Sequence, residues 1–207
     1  MNKLIPIAVR KGRPSTEESK QKLEHVLRVA RQHFAHHGYG TTTVRAIAEA
    51  ANVSTRTIYN QFETKLALFE ACMESDSRHY PTHHLDFDME PHEALHQFVV
   101  NLIHHLSTEM NLSLSIILYR EGSEFPELLK NALKHEKVQL IQPLAKYLRR
   151  YGLEKANSCE HARLFSMLAT AEFLRRLNFN LPMLTEAEIQ RHASTVTAMF
   201  LHGAEIK

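Results

Sequence analysis

Residues 53–62 read VSTRTIYNQF, with Tyr59 and Phe62 set among Ser, Thr, Asn and Gln, and Arg56 as the single charge. Hydroxyl, amide and guanidinium groups of this size are the donors and acceptors that reach base edges and phosphates in a nucleic-acid groove. An ordinary amphipathic surface helix surrounds its apolar stripe with Lys and Glu instead. The wider span, residues 41–62, has the layout of a helix-turn-helix: a short helix, a three- or four-residue turn and a second short helix. Val53, Ile58 and Phe62 are expected to hold the second helix down, leaving Thr55, Arg56 and Thr57 in its outward first turn. An arginine there can bond guanine through both of its arms, and a threonine methyl can pack on thymine. Ser54 is the expected cap, leaving backbone N–H groups and a positive dipole end near a phosphate. The competing reading is a solvated polar surface.

Other chemistries find less support. Fifteen histidines are present, with His92 and His96 four apart and pairs at 36–37, 83–84 and 104–105. No HExxH or CxxC accompanies them, and neighbouring histidines on a helix diverge, so solvated or capping histidines are expected and no metal. No triad, phosphate-cradling glycine loop or paired-carboxylate site is visible, so neither an enzyme nor a cofactor is expected. Cys72 and Cys159 lack the spacing of a disulfide framework or zinc finger. Apolar runs such as LSLSIILY are too short to span a membrane, and the charges of MNKLIPIAVRKGRP follow its apolar segment, unlike a signal peptide. A reduced, cytoplasmic protein is the expectation. Residues 1–70 carry a balance of +5 and residues 71–207 a balance of −3, which suggests that one end meets a polyanion.

The elements that must position these groups read as helix throughout. Few glycines and no period-2 alternation leave little room for strands. Ser15 or Thr16 can cap a first helix with inner face Leu23, Val26, Leu27, Ala30 and Phe34, stopped at Gly38 by a left-handed cap. Thr42 or Thr43 opens the second, Ser54 the third, and Thr64 the fourth, with Leu66, Phe69 and Met73 inside. Residues 80–91 read as a linker. Longer helices follow near 91–107, 112–120, 125–151 with a kink at Pro143, 158–178 and 185–203. The expected fold is all-α: a flexible basic arm (1–15), a three-helix helix-turn-helix domain (16–80) and a larger C-terminal helical bundle (81–207), about nine helices in all.

The run GYGTTTVRAIAEAANVSTRTIYNQFETKLALF, with the preceding first-helix HFAHHGY, resembles the N-terminal domain of the TetR family of bacterial transcriptional regulators. The resemblance implies phosphate contacts for Thr42 and Thr43, joined by Arg45, and base-facing positions for Thr55, Arg56 and Thr57. It implies a phosphate for the Tyr59 hydroxyl and a phosphate-binding role for Lys65. Asn60 and Gln61 stand where the family often has an aromatic residue and a His; both can still donate to phosphate. RKGRP resembles the short Arg-Gly-Arg-Pro core of minor-groove arms, which points to Arg10, Lys11 and Arg13, although a plain basic tail fits as well.

The resemblance also implies a homodimer on a palindromic operator, joined through the last two helices. The apolar faces proposed for that role are Phe165, Leu168, Ala169, Ala193, Val196 and Phe200; completing a monomeric core is the alternative. The larger domain of the family commonly holds a small-molecule effector. Candidates for its pocket are Phe98, Leu102, His105, Ile117, Tyr119, Glu121, Tyr147, Met167 and Phe173, each of which also fits ordinary core. REGSEFPELLKN is similar to a branch of the family with a Phe-Pro-Glu-Leu turn between middle helices. The functional expectation is a ligand-responsive repressor. The alternatives are an effector-independent regulator, an activator, or a carrier or enzyme with a vestigial helix-turn-helix.

Overall fold

The computed structural model describes residues 16–74, 82, 85–86, 88–152 and 157–203, and it is all-helical over them. The expected arm residues Arg10, Lys11 and Arg13 lie outside the described residues. Helix α1 (Thr16–His37) is followed by α2 (Val44–Ala50), α3 (Thr55–Tyr59) and α4 (Lys65–Glu74). Then come α5 (Pro91–Ser107), α6 (Glu109–Glu121), α7 (Pro126–Glu136), α8 (Gln142–Arg150), α9 (Ser158–Asn178) and α10 (Glu186–Gly203). A π-helical turn, Lys137–Ile141, joins α7 to α8 in one continuous rod.

Caps explain the short elements. The Thr43 hydroxyl accepts the Ala46 N–H at 3.1 Å to open α2, and the Thr64 hydroxyl accepts the Ala67 N–H at 3.0 Å to open α4. Helix α2 stops at Asn52, whose φ of 52° is left-handed. The Asn52 and Val53 N–H groups bond back to Glu49 and Ala48 at 3.2 and 2.9 Å, a Schellman closure that turns the chain into α3. The kink expected at Pro143 takes the form of the π turn. Proline has no N–H for the Gln139 carbonyl, and the Thr82 hydroxyl fills that vacancy at 2.6 Å, while the Gln142 N–H reaches five residues back to Lys137.

Two cores result. In the C-terminal body α5 is central, burying Leu95, Phe98, Val99, Leu102 and Ile103 in a core shared with α9 and α10, while α8 packs on α9. Each such side chain contributes about 1.5–3 kcal/mol when fully buried. The other core holds Val26, Ala30 and Phe34 of α1, Ile47 of α2, Ile58 of α3, and Leu68, Phe69 and Cys72 of α4. The inner stripe of α4 is therefore Leu68, Phe69 and Cys72, with Leu66 and Met73 at its half-buried margin. This core also takes Leu114 and Ile117 from α6 and Leu128 from α7. The body thus supplies part of the interior of the helix-turn-helix head, across the division expected at residue 80.

Candidate nucleic-acid interface

The head presents one polar face. Thr55, Arg56, Asn60 and Gln61 are exposed and Thr57 is half-buried. The Ser54 hydroxyl accepts the Thr57 N–H at 3.1 Å and shares a 2.8 Å hydrogen bond with its hydroxyl, which fixes the first turn of α3. Ile58 is buried beneath, and Val53 and Phe62 pack at the margin of the same core, so the face is held from behind as the periodicity requires. Tyr59 is 51% exposed, an arrangement that leaves its ring and hydroxyl available to a groove. Arg56 makes no ion pair among the described residues. Arg45 pairs with Glu49 at 2.9 Å across one exposed turn, a bond weak enough to exchange for a phosphate.

Two expected phosphate ligands are placed differently. Thr42 is buried, and its hydroxyl donates inward to the carbonyls of Gly38 at 2.6 Å and His33 at 3.2 Å. Lys65 turns its ammonium onto the carbonyls of Tyr39, Thr42 and Gly40 at 2.8, 3.1 and 3.3 Å. An ammonium has three donors, and these three acceptors engage them. Burial lowers the Lys65 pKa, an effect opposed by the charge of Glu121. In this structure both residues support the loop between α1 and α2. The fitting residue types were visible in the sequence, but their direction depends on where the chain turns at Gly38, whose φ is +80°.

That loop is gripped from its other side by the body. The two carboxylate oxygens of Glu121, at the end of α6, accept the N–H groups of Tyr39 at 3.0 Å and Gly40 at 2.6 Å. Phe125 packs edge-on to the Tyr39 ring at 5.1 Å, and Tyr39 in turn meets Phe69 at 5.4 Å and Phe34 at 5.9 Å. Lys65 lies 4.3 Å from the Tyr39 ring centroid. A Cβ on Gly38 would collide with the Glu121 carboxylate, so the loop approaches the body as closely as glycine permits. Glu121, expected as a pocket residue, here holds the loop and does not line the cavity between α4, α5, α6 and α7. One signal for it was available: a carboxylate in the last turn of a helix opposes the helix dipole and needs a partner elsewhere.

The remaining pocket candidates separate. Ile117 belongs to the head core, while Phe98, Leu102, Tyr147 and Phe173 are buried in the core of the body. Tyr147 and Tyr151 direct their hydroxyls at the Met89 carbonyl, at 3.4 and 2.9 Å. Tyr119 and Met167 are exposed. His105 does line a cavity, of about 960 Å³ including the space open to solvent, between α4, α5, α6 and α7. Its apolar wall includes Met73, Leu106, Leu114, Leu118, Leu129 and Leu133; Asn111, Ser115, His135 and Glu136 supply polar atoms. Burial lowers the His135 pKa, opposed by Glu74, and raises that of Glu136, opposed by Arg163, so both favour their neutral forms more than in water.

The interface candidates also divide. Phe165, Ala169, Ala193, Val196 and Phe200 are buried inside the protomer, and only Leu168 among the six is exposed. The apolar side chains that α9 and α10 present outward are Leu164, Met167, Leu168 and Met199, at 50, 59, 39 and 64% exposure. The sequence pattern marked the more continuous stripe of each helix, which is the stripe the protomer itself buries.

Comparison with known proteins agrees with this arrangement. The family described as "Bacterial regulatory proteins, tetR family" matches residues 26–72, and "AefR-like transcriptional repressor, C-terminal domain" matches residues 93–203. The chain belongs to the TetR family of transcriptional regulators. The uncharacterized HTH-type transcriptional regulator YvkB of Bacillus subtilis (strain 168) is 26% identical over 182 residues, covering 86% of this chain and 94% of YvkB. The flavonoid-responsive regulator FrrA superposes with a TM-score of 0.71 at 26% identity, over 89% of this chain and 97% of FrrA. A TetR-family regulator from Mesorhizobium loti MAFF303099 shares the fold at TM-score 0.74 and 22% identity, over 89% and 97% of the two chains. As a TetR-family protein this chain is a DNA-binding transcriptional regulator. None of the described helices is long and apolar enough to cross a membrane.

Proposed function

We propose that the chain is a homodimeric, small-molecule-responsive repressor, and not a catalyst, that reads a palindromic operator in the cytoplasm. The observation that carries this reading is the sharing of helices. The cavity wall takes Met73 from α4 and Leu114 and Leu118 from α6, and those helices also build the core beneath α2 and α3. An occupant that prefers one arrangement of α4 and α6 therefore changes operator affinity by the ratio of its affinities for the two arrangements. Base readout falls to Thr55, Arg56 and Thr57. Thr43, Arg45, Ser54, Tyr59, Asn60 and Gln61 reach phosphates or neighbouring bases, and Arg10, Lys11 and Arg13 supply a minor-groove arm.

A single head offers few contacts, so two are needed, about 34–36 Å apart on one face of the duplex. The outward face of α9 and α10, with Leu164, Met167, Leu168 and Met199, supports pairing with a second copy. The match to a repressor family and the likeness to a flavonoid-responsive regulator support repression and ligand response. The largely apolar wall, with Asn111, Ser115 and His135 among its polar groups, suits a mostly apolar effector carrying a few hydrogen-bonding groups. Selection from random duplex DNA with the purified protein tests the reading. A twofold-symmetric motif, bound as a dimer and released by such a ligand, is the expected result; no enriched motif overturns it.

A further inference from the structure

We infer that Glu121 is the positioning residue through which the cavity controls α2 and α3, an inference that rests on the cavity being the effector site. Its carboxylate holds two consecutive amides of the loop, at Tyr39 and Gly40, and Thr43, the cap of α2, follows three residues after Gly40. Lys65 holds the carbonyls of the same loop from the head. The loop is therefore clamped between an anion carried by the body and a cation carried by the head.

Leu114, Leu118 and Glu121 follow one another at spacings of four and three, so they share one stripe of α6. The first two face the cavity and the third ends on the loop. A helix of this length moves as a rod, and displacement at Leu118 is passed to Glu121 within one turn. A shift of about 1 Å takes a 3.0 Å hydrogen bond beyond bonding distance, so a small change at the cavity releases the loop in an all-or-none manner. The α2 cap then loses its fixed place, and with it the register of α3 on DNA. Glu121 touches no DNA itself.

A side chain built into the cavity serves as the occupant, which removes the need for an identified ligand. In the full-length protein, Ala132→Phe places a ring between Leu129 and Glu136 in the cavity wall. The expected result is at least tenfold faster hydrogen exchange at the Tyr39 and Gly40 amides, with at least tenfold weaker operator binding. Glu121→Gln alone is expected to give a similar loss. In the double variant Ala132→Phe adds less than twofold, because the joint it acts on is already open. Gly40→Ala, which crowds Phe125 and the carboxylate from the loop side, is expected to reproduce this non-additivity and serves if Glu121→Gln does not fold.

Equal losses from Ala132→Phe in both backgrounds overturn the inference and assign the control to α4 through Met73. Unchanged exchange at Tyr39 and Gly40 in Ala132→Phe overturns it as well. The exchange measurement requires no DNA, so failure of the wild-type protein to select an operator is a separate result that bears on the regulatory reading alone.

Discussion

The polar face of α3 and the loop that joins α1 to α2 both carry hydrogen-bonding groups, yet they are bonded in opposite ways. At residues 55–61 the side chains of Thr55, Arg56, Asn60 and Gln61 stand in solvent, and the bonds that fix α3 come from Ser54 and from Ile58 underneath. At residues 38–42 the polar groups are engaged within the protein: the Thr42 hydroxyl with two carbonyls, three loop carbonyls with Lys65 of α4, and two amides with Glu121. A face that reads a partner keeps its donors free, because only unspent donors discriminate between bases. A joint that sets geometry uses its donors internally.

Substitutions separate the two. Phe34, fully buried at the centre of the rings that join head to body, should give the largest effect. Phe34→Ala is expected to cost about 3–5 kcal/mol in urea unfolding, whatever the DNA. Lys65→Met should cost about 1–3 kcal/mol of stability and weaken operator binding with an unchanged salt slope, since its charge goes to carbonyls and not phosphates. A slope reduced by about one would return Lys65 to the DNA backbone.

Arg56→Ala should leave unfolding within about 0.5 kcal/mol of wild type. It should still cost about 1–3 kcal/mol per half-site and relax preference at one symmetric pair of operator positions. A selected motif identical to that of wild type would remove Arg56 from direct readout. Asn52→Ala places a Cβ-bearing residue without a local polar side chain at φ 52°, and about 1 kcal/mol of destabilisation is expected in the same unfolding assay.

The smallest effect lies farthest from both regions. Arg175 and Arg176 hold the Glu172 carboxylate at about 2, and Arg176 with Thr185 holds that of Glu188 at about 2, against an ordinary 4.5. Arg176 also bonds the carbonyls of Pro182 and Met183 in the α9–α10 turn. These carboxylates titrate lower when folded than when unfolded, so their contribution is complete above about pH 4.5 and disappears as pH falls towards 2. Melting curves of wild type and Arg176→Ala should differ most near neutrality and draw closer across that window, the remaining gap coming from the Pro182 and Met183 carbonyls.

The outward polar positions of α3 were legible because local chemistry defines them. Ser54 and Thr43 cap by a bond spanning three residues, and Ile58 and Phe62 are set by helical period, so the sequence alone placed α2, α3 and their outward side chains. Helix ends from α5 to α10 mostly followed from proline, glycine and apolar spacing in the same way. Helix α6, however, opens three residues earlier than expected, capped by Thr108, and a π turn divides the helix expected at 125–151 into α7 and α8. Contacts across distance were not legible. Glu121 meets Tyr39 over 82 positions and Lys65 meets it over 26, and no local pattern states either pairing. The apolar stripes of α9 and α10 were visible, but which stripe faces the protomer was not.

The sequence by itself determined an all-helical regulator with a helix-turn-helix near its start, because capping, turn geometry and hydrophobic period act within a few residues. Only the tertiary structure decided which polar groups remain free to meet DNA, which are spent in holding the α1–α2 loop, and where a cavity lies. Those outcomes depend on how α6 and α7 close against the head, a packing of residues far apart in the chain that local propensity does not encode.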